Sequence, residues 1–96
     1  MAFKILYSED ALTDLESILD YIGADNPAAA ARFGTALLNH VDLLAAFPHI
    51  GSNVDQRAGV RKILHTPVRV YYRIEAQRRV VEVLHFWHVA RQAPKM

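Results

Sequence analysis

The hydrophobic period of this chain changes once, and the change limits what it can fold into. Up to about residue 46, apolar side chains recur every three or four positions: Leu12, Leu15, Leu19 and Ile22, then Ala30, Phe33, Leu37, Val41 and Leu44. From residue 57 onward they alternate, as in "TPVRVYYRIE". The first spacing lines one face of a helix and the second lines one face of a strand. The two patterns meet at "FPHIGSN", residues 47–53, where Pro48 and Gly51 end the helical one.

The remaining elements follow from local chemistry. "FKILY", residues 3–7, is a short β-leaning run. Ser8 offers an N-cap, with Glu9 and Asp10 where a helix start favours negative charge. This first helix is expected to end near Gly23, with Asp14, Glu16 and Asp20 forming its solvated face. Asn26 caps a second helix whose first position is Pro27 and which runs to about Ala46. Helices joined by so short a connection read as an antiparallel hairpin. "GVRKILH" is a strand. In the next strand Val68, Val70, Tyr72 and Ile74 share one face, and Arg69, Tyr71, Arg73 and Glu75 share the other. "AQRR" supplies a polar turn. "VVEVLHFWH" is apolar on both faces, which predicts a central strand covered on each side.

The expected fold is therefore α+β: strand, helix, helix, then a three-stranded antiparallel meander, with the helical hairpin packed on one sheet face. At 96 residues the chain suits one domain, 1–96. No run approaches the roughly 20 apolar residues of a membrane span. The start, "MAFKILYSED", has no apolar leader pattern, so a cytoplasmic protein is expected. With no cysteine, disulfides and Cys-based zinc sites are excluded. Charge divides along the chain: residues 1–56 set Lys4 and Arg32 against eight acidic residues, a balance of −6, and residues 57–96 set nine basic residues against Glu75 and Glu82, a balance of +7. Either the halves neutralise one another within the fold or the second half meets an anionic partner.

Groups able to carry chemistry lie almost entirely in the second half. They are Arg57, Arg61, Lys62, His65, Arg69, Tyr71, Arg73, His85, Trp87, His88 and Arg91. Strand alternation puts Arg61, Ile63 and His65 opposite Lys62 and Leu64, and puts His85 and Trp87 opposite Phe86 and His88. Arginines interleaved with aromatic rings suit nucleic-acid recognition. His85 and His88 point to opposite faces with no third ligand near in sequence, so no metal site is expected. Histidine beside arginine also has the residue types for RNA cleavage, which needs an acid, a base and cations for the phosphate. Against that stand plainer readings, in which Arg69 and Arg73 pair with Glu75 or Glu82, and Tyr71, Tyr72 and Trp87 pack.

Taken together, "DLESILDYI" (14–22), "FPHIG" (47–51), "RAGVRKI" (57–63), "YYRIE" (71–75) and "VLHFWHVARQ" (83–92) resemble the RelE/ParE superfamily of type II toxin–antitoxin toxins, on its ParE-like, plasmid-stabilisation side. The resemblance covers about residues 3–92 and implies a cytoplasmic toxin, without a small-molecule cofactor or membrane partner, neutralised by a cognate antitoxin. ParE-type members poison DNA gyrase, and RelE-type members cut mRNA on the ribosome. Arg57 and Arg61 match the R-x-G-x-R run of ParE-like members, and His88 and Arg91 match their terminal H-G-x-R, with Val89 replacing its glycine. The resemblance therefore implies target binding by Arg57, Arg61, His88 and Arg91, and the basic, aromatic surface of the meander adds Arg69 and Trp87 to the set expected to contact gyrase. Under the nuclease alternative the catalytic group is His88, Arg91, Arg61 and Arg73, with His85 as a further candidate. A third expectation is a binding module that keeps the fold without toxicity.

Overall fold

The computed structural model describes residues 2–89. The expected elements are present. Strand β1 (Lys4–Tyr7) leads into helix α1 (Glu9–Gly23) and helix α2 (Pro27–Asp42), which closes with a 3₁₀ turn (Leu43–Ala45). Strands β3 (Val60–His65), β4 (Val68–Glu75) and β5 (Val80–His88) form the meander. The Ser8 hydroxyl accepts the Ala11 N–H at 3.0 Å, and the Asn26 side-chain oxygen accepts the Ala29 N–H at 3.0 Å. Both caps satisfy donors that a helix start leaves orphaned. No helix of the described residues is long and apolar enough to cross a membrane.

One strand was not foreseen. Ser52–Asn53, read from sequence as part of a break, forms a short strand β2 against Lys62 and Arg61 of β3. The sheet is five-stranded in the order β1-β5-β4-β3-β2, with β1 parallel to β5 and the other pairs antiparallel. The most apolar strand, β5, is interior, between β1 and β4, whereas the central place its composition predicted is taken by β4.

Its covering departs from expectation. Leu37, Val41 and Leu44 of the second helical segment and Ala11 and Ile18 of α1 join Ile63, Val68, Val70, Tyr72, Val81, Val83 and Phe86 in one core. These strand residues share a face by register, so both helices lie on that face, and among the described residues the other has no helical layer. On the uncovered face Val60, Tyr71 and Val80 are nonetheless buried. The stripe of α1 is also turned from the expected one. Leu12 is 53% exposed, while Ala11 and Ile18 are buried and Leu15 and Ile22 pack beside them.

A β-bulge explains how β5 stays apolar toward the core. Tyr72 pairs with Val83 and Tyr71 with His85, so Leu84 is an extra residue. Strict alternation from Val81 and Val83 would carry His85 and Trp87 into the core. The bulge sends Phe86 and His88 there instead, and turns His85 and Trp87 to the uncovered face.

Candidate functional site

The "FPHIG" turn is built into the sheet by two side chains. The Tyr72 hydroxyl donates to the Pro48 carbonyl at 2.7 Å and accepts the Gly51 N–H at 3.0 Å. Burial pushes this phenol above its ordinary pKa, more than the Gly51 bond and Arg61 lower it, so it stays protonated and able to donate. Arg61 Nη1 donates to the Gly51 carbonyl at 2.7 Å and to the His49 carbonyl at 3.3 Å. A Cβ on Gly51 would stand 2.5 Å from Tyr72 Oη and 2.6 Å from the Lys62 carbonyl, so the turn requires glycine.

A second construction closes the open half-edge of β5. β1 ends at Tyr7, opposite Val83, leaving residues 84–88 without a neighbouring strand on that side among the described residues. α1 takes its place. The Ser8 hydroxyl donates to the Leu84 carbonyl at 2.9 Å, and Asp14 Oδ2 accepts the Phe86 N–H at 3.2 Å. The same oxygen lies 3.0 Å from His85 Nδ1. A carboxylate at Nδ1 favours the tautomer with its proton there, and leaves Nε2 as the ring's basic nitrogen. His88, on the helix side, meets the Tyr21 ring edge-on at 5.8 Å. Between α1 and the end of β5 is a recess of about 50 Å³ lined by Asp14, Ser17, Ile18, Phe86, Trp87 and His88.

The uncovered face carries the other predicted residues. By register it presents Lys62 and Leu64 of β3, Arg69, Tyr71 and Arg73 of β4, and Glu82, His85 and Trp87 of β5. Arg73 Nε pairs with Glu82 Oε1 at 2.8 Å, and Arg78 pairs with Glu75 at 3.2 Å. Arg57 and Arg73 share a cleft of about 510 Å³ with Gly59, Val60, Glu82 and Leu84.

The predicted set is thus divided by the sheet. Arg69, Arg73 and Trp87 are on the uncovered face and Arg57 stands at its rim, whereas Arg61 and His88 are on the helix side. Arg91 lies outside the described residues. His85 and Trp87 face away from His88, as strand alternation predicted. Val89 donates its N–H to the Pro67 carbonyl at 2.8 Å, and the only non-glycine at positive φ among the described residues is Arg79. Replacing the family glycine therefore sets up no left-handed strain at Val89. Asp14 was misread as part of a solvated face. Its partner His85 is 71 residues away in sequence, but its position between Ala11 and Ile18 on the buried stripe was a legible sign.

Comparison with known proteins places this architecture. The family model described as ParE toxin of type II toxin–antitoxin system, parDE, matches residues 5–93. The chain belongs to the ParE toxin family. It is 32% identical over 84 residues to Toxin RelE2 of Caulobacter vibrioides, an alignment covering 85% of this chain and 93% of that protein. Its fold is similar to that of a chromosomal ParDE toxin–antitoxin system from P. aeruginosa, with TM-score 0.77, 22% identity, and 92% and 97% of the two chains covered. It is similar too to the RelBE2 toxin–antitoxin complex of Mycobacterium tuberculosis, with TM-score 0.70, 19% identity and 95% of each chain covered. This ParE-family chain is accordingly a type II toxin of the ParE/RelE superfamily, with two helices packed on a mixed sheet.

Proposed function

We propose that this toxin acts in the cytoplasm by inhibiting DNA gyrase and is held inactive by a cognate antitoxin. The observation that carries the choice of target is the dispersal of the nuclease candidates. Arg61 is spent on two main-chain carbonyls on the helix side, His88 lies on that side against Tyr21, and Arg73 is on the opposite face, paired with Glu82. An RNA-cleaving centre needs its acid, base and phosphate cations within reach of one phosphodiester. A protein-inhibiting surface has no such requirement. The antitoxin part of the reading is supported by structural neighbours, several of which are toxin–antitoxin complexes.

A second reading keeps one specific support. Asp14 holds His85 Nδ1 and leaves Nε2 directed away from the carboxylate, the orientation a general base requires. In that reading His85, rather than His88, handles the proton during RNA cleavage.

Induced expression without antitoxin separates the readings. Growth arrest with loss of plasmid supercoiling and unchanged mRNA 5′ ends is the expected result. Intact supercoiling with new mRNA ends would reject gyrase in favour of cleavage, and undisturbed growth would reject both in favour of a non-toxic module.

A further inference from the structure

Within the described residues, the two charged halves of the sequence are little joined by ion pairs. Among the described residues, the one ion pair joining them is His85–Asp14, and the other pairs, Arg73–Glu82 and Arg78–Glu75, lie within the second half. The acids of the first half sit largely in the helical layer, where Glu9, Asp10, Glu16 and Asp20 of α1 and Asp25 of the connection to α2 are exposed. The uncovered sheet face and its rim keep Lys4, Arg57, Lys62 and Arg69, whose side chains have no hydrogen-bonding or ionic partner among the described residues. The sheet thus separates an acidic helical layer from a cationic face, and a sorted charge of this kind projects a field that concentrates an oppositely charged partner.

We propose that the uncovered sheet face binds the phosphate backbone of duplex DNA without reading its sequence. The composition of the face selects this partner. A protein interface needs an apolar centre, yet of the exposed large hydrophobics among the described residues the strands of this face carry Leu64, at 56%, with Val89, at 38%, just past the end of β5. Phe47, Ile50, Leu43 and Tyr21 are elsewhere. Nucleic-acid interfaces are more polar and far more positive. Single strands are bound by stacking bases on exposed rings, and this face offers little for it: Tyr71 is 5% exposed and Trp87 is half-buried in the seam with α1. What remains is backbone contact by extended cations. Lys62 and Arg69 are diagonal neighbours on adjacent strands, about 7–8 Å apart at their backbones. From β1 with Lys4 to β3 with Lys62 the face is about 14 Å across. Glu82 restrains Arg73 by a single Nε contact, so a phosphate can still reach the outer guanidinium nitrogens.

The test is fluorescence anisotropy of the purified chain with a labelled 20-base-pair DNA duplex and with single-stranded DNA and RNA of the same sequence, over 50–200 mM KCl. With about four phosphate contacts, the slope of log affinity against log salt should be about −3 to −4, a loss of about a hundredfold over that range. Lys62→Ala and Arg69→Ala should each make the slope shallower by about 1. Glu82→Gln, which releases Arg73, should tighten binding, whereas Glu16→Gln on the helical layer should change affinity less than about twofold. Circular dichroism confirms that these surface variants fold. The proposal is overturned by no duplex binding at 50 mM KCl, by slopes that ignore Lys62 and Arg69, or by tighter binding of single-stranded RNA than of duplex DNA. Neither gyrase nor ribosomes are present in the assay, so its outcome is independent of the toxin's target.

Discussion

Asp14 serves two groups that its sequence neighbours do not reveal. Its carboxylate accepts the Phe86 N–H where β5 has lost its neighbouring strand, and it fixes the His85 ring. Asp14→Ala leaves that main-chain donor without a partner in a partly buried seam, and should cost about 1–3 kcal/mol in denaturant unfolding. An unchanged midpoint would show that solvent replaces the carboxylate there. A different histidine makes stability depend on pH. His65 Nδ1 lies 2.9 Å from His40 Nδ1, and burial, with a smaller contribution from His40, lowers the His65 pKa below 6.5. The unfolded chain then binds this proton more readily than the folded one. The stability held by the neutral ring is therefore complete above pH 6.5 and is lost as pH falls from 6.5 toward the lowered value. The urea midpoint should fall between pH 7 and pH 5, and His65→Gln should flatten that slope. A midpoint constant over this range would contradict the account. At this scale sequence reading does least well, because both contacts join residues far apart in the chain: His40 and His65 are 25 apart, Asp14 and His85 71.

Elements were legible wherever local chemistry decided them. The Ser8 and Asn26 caps, Pro27 at a helix start, and the alternation in β4 each act over a few residues, and the structure follows them. The misses have a common cause. The leucine spacing of α1 points to one stripe, but which stripe is buried depends on the sheet beneath it, and that sheet selects Ala11 and Ile18 over Leu12. Strand β2 follows a turn that Tyr72 and Arg61 hold against the sheet, contacts between residues far apart in the chain. The bulge at Leu84 is likewise a property of the β4–β5 pair rather than of either strand. The turn gives the sharpest test at this scale. Tyr72→Phe strands the Pro48 carbonyl and the Gly51 N–H in the interior, and should cost about 1–3 kcal/mol. Gly51→Ala should cost more, because its Cβ meets the buried hydroxyl and a strand carbonyl at once. If Gly51→Ala proves milder than Tyr72→Phe in chemical unfolding, the packing assigned to this turn is wrong.

Across the whole molecule, the sheet divides what the sequence had placed in one basic half. Arg61 and His88 look toward the helices, Arg69 and Arg73 look away from them, and Arg57 joins Arg73 at a cleft on the rim. Fold class and superfamily could be read from the sequence because period, turn chemistry and motif order are written along the chain. The functional surface could not, because a face is defined by register and by which side the helices cover. The same fold carries different targets, so the target must be argued from the sites placed on it. The division of the candidates favours a surface that inhibits a protein over a centre that cuts RNA. The direct measurement is gyrase activity in the presence of the purified toxin, alongside an mRNA translated by purified ribosomes. The account predicts that supercoiling is lost in proportion to added toxin while the mRNA stays intact. Undiminished supercoiling with cleaved mRNA would contradict it.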